Sequence, residues 1–207
     1  MQYKYPDTAI LVFCKAPVAG QVKTRLMSDL TAEEAADIHI MLSHRILALL
    51  SASMLCPIQL WCSPDSKHPF FKKCTDKYSL TLREQRGMDL GERMHHAIRT
   101  TLQTFSKVLL VGCDCPSITL DDFDSAIKAL NNNHDVVFAP AEDGGYVIVG
   151  MTQPNPTLFL NMTWSNESVF RISQNRAKQL GLSVYETSMQ WDVDTVEDLQ
   201  RFNSSIN

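Results

Sequence analysis

Lys15, Lys23 and Arg25 fall within eleven residues, in the stretch Lys15-Ala-Pro-Val-Ala-Gly-Gln-Val-Lys23-Thr24-Arg25. It follows Ala9-Ile-Leu-Val-Phe-Cys14, an apolar run that reads as a strand. Pro17 and Gly20 shape the backbone between the cations. Ligands of open α/β sheets bind outside the carboxyl ends of strands. Three cations at that place suit a polyanion, most simply a pyrophosphate. Lys23 and Arg25 are two apart, so an extended segment would point both the same way. The plain alternative is a solvated surface loop. A Walker loop is excluded, because no Gly-Lys-Ser/Thr follows Gly20 and the first required glycine is absent.

The acidic counterparts lie far along the chain. Asp114, in Gly112-Cys-Asp114-Cys-Pro116, sits just past a second apolar run. Asp192 and Asp194 flank Val193, so in extended chain both face one way. Two carboxylates ~5 Å apart repel by roughly 3 kcal/mol at an effective dielectric near 20. Convergence with Asp114 would therefore call for a cation, and oxygen-only ligands suit Mg2+ or Mn2+. Each acid also has a bland reading, as a turn residue or a helix cap.

Three further clusters are candidates, and two of them carry polar groups next to glycines. In Glu142-Asp143-Gly144-Gly145-Tyr146 the glycines allow close backbone approach, and Asp143 is the candidate base. Gly87-Met-Asp89-Leu-Gly91-Glu92-Arg93 opens a helix: Gly87 and Gly91 could let N–H groups meet a ligand, with Arg93 adding a cation and Asp89 first of all a cap. Trp164-Ser165 offers a stacking face, or simply packs over the next helix.

The elements that must position these groups alternate. Strands are expected over 9–14, 57–62, 79–83, 107–112, 135–139, 146–151 and 182–186. Helices are expected after the capping box Thr31-Ala-Glu-Glu34, from Asp89 to about 103, from Thr119 to about 131, from Ser165 to Leu180, and after Thr195. The first helix carries the stripe Ala35, Ile38, Met41, Leu42, Ile46, Leu49 and Leu50. This order implies a three-layer α/β fold with a mostly parallel sheet, made mixed by the hairpin-like 135–151 segment.

Composition sets the outer bounds. The 207 residues suit one domain, and a net charge of −4 argues against a nucleic-acid partner. No apolar run is expected to reach the ~20 residues of a membrane span, and the start of the chain has no signal-peptide pattern, so a cytoplasmic location is the default. Six cysteines without scaffold spacing read as free, mostly buried thiols; Cys113 and Cys115 have no second pair that would make them a zinc motif. Oligomeric state leaves no trace in the sequence.

Six stretches taken in order resemble a known family: Phe13-Cys-Lys15-Ala16-Pro17…Gly20-x-Val-Lys23-Thr24-Arg25-Leu26, Asp89-Leu-Gly91-Glu92-Arg93-Met94, Gly112-x-Asp114-x-Pro116, Pro140-Ala-x-Asp143-Gly-Gly-Tyr146, Trp164-Ser165 and Asp192-Val-Asp194-Thr195-x-Glu197-Asp198. The family is the glycosyltransferase-A-like transferases associated with radical-SAM and selenodomain proteins. It is related to nucleotide-diphospho-sugar transferases and phospholactate guanylyltransferase. The chain departs from it at Ala19 and Val196, where proline is common, and lacks a paired Asp-x-Asp at Asp114.

The resemblance implies one GT-A domain over 1–207, with a nucleotide-binding half (about 1–116) and an acceptor half (about 117–207). It implies a metal-dependent transferase with a nucleotide or nucleotide-sugar donor and a small-molecule acceptor. Lys15, Ala16, Pro17, Gly20, Lys23, Thr24 and Arg25, with Gly87, Asp89, Gly91 and Arg93, would form the donor side. Asp114, Asp192 and Asp194 would hold the metal, and Asp143, Lys23 and Arg25 would serve the chemistry. Gly144, Gly145, Tyr146, Trp164 and Ser165 would face the acceptor. Two alternatives remain: a pyrophosphate-releasing nucleotidyltransferase acting on a small phosphorylated acceptor, and a nucleotide-binding module without turnover.

Overall fold

A computed structural model describes residues 2–164 and 166–206. Seven strands, β1 (Thr8–Lys15), β2 (Ile58–Ser63), β3 (Thr81–Glu84), β4 (Lys107–Gly112), β5 (Val136–Pro140), β6 (Tyr146–Met151) and β7 (Val184–Glu186), form one sheet in the order β3-β2-β1-β4-β6-β5-β7. Only β6 runs antiparallel to its neighbours. The helices are α1 (Ala32–Ser53), α2 (Pro69–Lys77), α3 (Leu90–Thr101), α4 (Leu120–Asn131), α5 (Val169–Gln179) and α6 (Val196–Ile206).

The central strands are apolar on both faces because helices cover both. Ile10, Val12 and Cys14 of β1, with Leu109, Val111 and Cys113 from β4 and the residue after it, pack against α1, α2 and α4. Ala9, Leu11, Val108 and Leu110 belong to the other face, with Met94, Ala97 and Ile98 of α3 and Ala177 of α5. Successive side chains alternate faces, so Cys14 and Cys113 must share one. A small cluster of Leu42, Val193 and Phe202 ties α6 to α1.

Local signals in the sequence set most boundaries. Thr31 and Glu34 form the expected reciprocal cap of α1, as do Thr119 and Asp122 for α4. Thr195 Oγ1 accepts from Asp198 N at 3.3 Å, and Asp198 Oδ2 accepts from Thr195 N at 2.8 Å, opening α6 in the same way. Asp89 caps α3 through Glu92 N.

Four expectations need correction. Sequence reading assigned no element between 64 and 78, yet α2 forms there, with His68 as cap and proline at its first turn. The helix expected from Ser165 begins at Val169, after Ser168; Ser165 itself lies outside the described residues. Met41 stands on the exposed side of α1, while His39 and Ser43 take buried places among the apolar residues. Finally, α1 is long and apolar enough by length and composition to cross a membrane, which the sequence reading did not anticipate. Its eight buried residues are spent on the protein's own core and on the cleft described below.

Candidate functional site

The strand order reverses between β1 and β4, whose carboxyl ends lie side by side. A crevice at such a switch point is where α/β sheets bind ligands. An open cleft of about 470 Å³ occupies this place, lined among others by Lys15, Lys23, Thr24, Arg25, His39, Asp114 and Asp194. The basic loop from the start of the chain and the acids from its middle and end therefore meet, which was the central expectation.

They do not meet in the expected way. Lys23 adopts a left-handed conformation (φ 49°) and Thr24–Ser28 form a 3-10 turn, so the segment is not extended. The two cations nonetheless converge. Lys23 Nζ lies 3.2 Å from Asp114 Oδ1, 3.2 Å from Asp194 Oδ1 and 2.6 Å from Val193 O. Arg25 donates to Asp194 Oδ2 at 3.1 Å. The Lys23 side chain is only 4% exposed. Burial alone would lower its pKa; Asp114 and Asp194 outweigh this and raise it. Lys23 therefore clamps two carboxylates, while Lys15 is exposed and Arg25 is 63% exposed at its side chain.

Asp114 also faces His39, a residue the sequence reading passed over. His39 Nδ1 is 3.6 Å from Asp114 Oδ1, and its Nε2–H donates to Lys15 O at 3.0 Å. Burial would raise the Asp114 pKa, but Lys23 and His39 hold it well below the usual carboxylate range. Burial likewise opposes protonation of His39, and Cys113 with Asp114 pushes it up to about 10. The signal for His39 was present in the sequence: it interrupts an apolar helical stripe, one turn from both Ala35 and Ser43.

Val193 turns into the α1–α6 cluster; of its two neighbours Asp194 lines both the cleft and the cavity beside it, whereas Asp192 lines neither. Asp192 has no hydrogen-bond or ion-pair partner among the described residues. Burial first, then the charge of Asp114, pushes its carboxyl up to about 8.

A second cavity opens beside the first, lined by Arg25, Glu142, Asp143, Gly144, Asn166, Glu167 and Asp194. Arg25 and Asp194 belong to both. Asp143 Oδ1 accepts from Gly145 N at 2.9 Å, a local turn that leaves its other oxygen toward solvent. Glu142 is gripped by Arg201 at 2.8 and 3.0 Å.

Several candidates take structural places instead. A Cβ on Gly91 would meet Phe159 O at 2.6 Å and the Trp164 ring at 2.7 Å, so Gly91 exists to let Trp164 close over α3. Gly144 has φ +84°, and a Cβ there would run into the Glu167 carbonyl oxygen. Arg93 Nε donates to Gly87 O at 3.1 Å, pinning the turn before α3. Tyr146 packs on Phe138 with ring centres 5.0 Å apart. Ala16, Pro17, Gly20, Gly87, Asp89, Gly91, Arg93, Gly145, Tyr146 and Trp164 line neither cavity.

The family described as "Uncharacterized protein conserved in bacteria (DUF2064)" matches residues 46–166, and the chain belongs to it. Among curated proteins none matches. A crystal structure from Desulfovibrio desulfuricans G20, provisionally named a nucleotide-diphospho-sugar transferase, is similar over 94% of this chain and 85% of its own, with 29% identity and a TM-score of 0.85. A CMP:2-keto-3-deoxy-manno-octonic acid synthetase complexed with CTP shares the fold over 97% of this chain and 98% of its own, with 11% identity and a TM-score of 0.61. So does a 4-diphosphocytidyl-2C-methyl-D-erythritol synthase from Anaerococcus prevotii DSM 20548, over 97% and 98%, with 10% identity and a TM-score of 0.62. The fold is thus that of nucleotide-diphospho-sugar transferases and nucleotidyltransferases.

Proposed function

We propose that this member of the family is a transferase that binds a nucleotide-sugar donor in the β1–β4 cleft and transfers its sugar to a hydroxyl acceptor in the adjoining cavity. The observation that carries this reading is the pairing of two unlike cavities across Arg25 and Asp194. The first presents Lys15 and Arg25, exposed cations suited to a pyrophosphate. The second presents Glu142, Asp143 and Glu167, which disfavour a phosphorylated acceptor and suit a neutral polyol.

In the resulting division of labour, the 1–116 half holds the donor and the 117–207 half the acceptor. Lys15 and Arg25 neutralise phosphate oxygens. Lys23 keeps Asp114 and Asp194 ionised and in place. Asp143, with one carboxylate oxygen anchored and the other open, takes the acceptor hydroxyl's proton.

By residue type the carboxylates of Asp114, Asp192 and Asp194 suit a hard divalent ion, Mg2+ or Mn2+, which would have to share Asp114 and Asp194 with the Lys23 ammonium that bridges them. Asp192, without a hydrogen-bond or ion-pair partner among the described residues and raised first by burial and then by the Asp114 charge, is the carboxyl that a bound cation would satisfy. Once bound, the ion would supply charge neutralisation to the donor phosphates.

Thermal-shift screening of nucleoside diphosphates, triphosphates and nucleotide-sugars, with and without Mg2+ or Mn2+, tests the donor side. A true ligand at 100 times its dissociation constant stabilises by about 2.7 kcal/mol. Product analysis tests the reaction. Release of nucleoside diphosphate, lost in Asp143→Asn with donor binding kept, is expected. Release of pyrophosphate would replace sugar transfer with nucleotidyl transfer, and tight binding without any product would leave a binding module.

A further inference from the structure

Cys14 ends the buried part of β1 and Cys113 follows the last residue of β4. The pairing register brings Phe13 opposite Gly112, so the two cysteines come next in line on neighbouring parallel strands. Alternation turns both toward α1, where His39 descends between them. The three residues are each less than 5% exposed, and their ligand atoms lie within 4.8 Å of one another. Cys14 Sγ is 3.7 Å from His39 Nε2, and Cys113 Sγ is 4.0 Å from His39 Nδ1. Although buried, all three line the floor of the cleft, which provides an entry path.

The imidazole ring is already oriented for a metal ion, which would displace the proton from Nδ1. Its Nε2–H donates to the Lys15 carbonyl, which fixes the ring and leaves Nδ1 toward Cys113 and the Asp114 carboxylate. Asp114 Oδ1 lies 3.6 Å from Cys113 Sγ and 3.6 Å from His39 Nδ1. Ligands bound to one zinc ion at ~2.0–2.3 Å stand about 3.3–3.8 Å apart in a tetrahedron, and the three ligand atoms here lie within 4.8 Å of one another, so the set has to draw together by up to about 1 Å. The remaining four cysteines have other surroundings; Cys115, for example, contacts Ser117 and Gln190.

We propose that Cys14, Cys113 and His39 form a binding site for a thiophilic d10 cation of the zinc class, with the Asp114 carboxylate closing the fourth position. Soft sulfur and imidazole donors set it apart from the all-oxygen acids beside it. Because Asp114 belongs to both sets, occupancy by the thiophilic ion removes a carboxylate from the oxygen site. The packing of β1, β4 and α1 forms this site whatever the cleft transfers.

Cd2+ added alone to the reduced protein is the probe. The expected result is a near-ultraviolet thiolate-to-metal charge-transfer band that saturates at one equivalent, is displaced by Zn2+ and survives excess Mg2+. Cys14→Ser and Cys113→Ser should each lose the band, while Cys56→Ser keeps it. Circular dichroism and melting of each variant establish that it is folded. Native mass spectrometry of the unaltered protein with Zn2+, expected to retain one ion, needs no variant. Absence of a saturable band in the unaltered protein, or a band undiminished in both folded Cys14→Ser and Cys113→Ser, overturns the site. Donor binding and turnover could persist in either case, so that failure is separate from failure of the transferase reading.

Discussion

The two ends of the central strands treat charge in opposite ways. At the amino end, Asp7 pairs with Lys107 at 2.8 Å, and Asp124 takes Lys4 at 2.6 Å and Lys128 at 2.7 Å, with all three lysines at the surface or its margin. At the carboxyl end, one buried ammonium, Lys23, bridges Asp114 and Asp194, which Arg25 and His39 also face, and Asp192 has no hydrogen-bond or ion-pair partner among the described residues. The first arrangement satisfies every acid it contains. The second crowds cations and carboxylates into a partly buried crevice and leaves the Asp192 carboxyl unpaired, an arrangement that stability alone does not favour and that a metal-bound ligand would relieve.

Removing Lys23 is the sharpest way to break this contrast. Lys23→Met should destabilise by about 3 kcal/mol in a denaturant titration, because it removes the buried ammonium that two carboxylates share. The matching change Lys4→Met should move the midpoint far less. Equal losses at the two ends would erase the distinction.

Packing at the carboxyl end gives the next largest effect. Gly91→Ala drives a methyl into Phe159 O and the Trp164 ring and should cost about 2 kcal/mol of stability. A fully stable Gly91→Ala that loses only ligand binding would return Gly91 to the donor site.

Lys15 belongs to neither economy, being exposed and without an ion-pair partner among the described residues. Lys15→Ala should leave the melting temperature unchanged and weaken the best nucleotide ligand about tenfold, or ~1.4 kcal/mol, by calorimetry. An unchanged affinity would take Lys15 out of the cleft's function.

The smallest effect belongs to the amino end. The Lys128, Lys4 and Tyr5 contacts of Asp124 hold its carboxyl below its ordinary range despite partial burial. Its stabilisation is therefore present above the unfolded-state value of about 4 and fades as pH falls through the lower folded value. Asp124→Asn should cost about 1 kcal/mol or less at pH 7 and nothing at strongly acid pH, measured by urea unfolding at several pH values. A constant difference across that range would mean the pairs contribute no charge-dependent stability.

Elements with strong local signals were legible before any coordinates. The capping residues of α1, α3, α4 and α6 and the continuous apolar run of β4 are examples, because a cap or a doubly covered strand declares itself within a few residues. The segment that became α2 was not legible: its phenylalanines and Cys74 face the core, but flanking Lys72, Lys73 and Lys77 blur the periodicity over only nine residues. In the site, the residue types pointed correctly to a meeting of basic loop and acids. Their partners did not follow, because Lys23 lies 91 positions from Asp114 and 171 from Asp194 along the chain.

What the chain carried in its own order was therefore the alternation of strands and helices, the cations after β1 and the acid after β4, all consequences of short-range pattern. Tertiary structure alone decided that Lys23 turns inward as a clamp while Lys15 remains free, that Gly91 serves Trp164, and that Cys14, His39 and Cys113 gather on one face. The reason is physical: pattern determines which side of an element a residue occupies, whereas strand order and register determine which distant residue waits there.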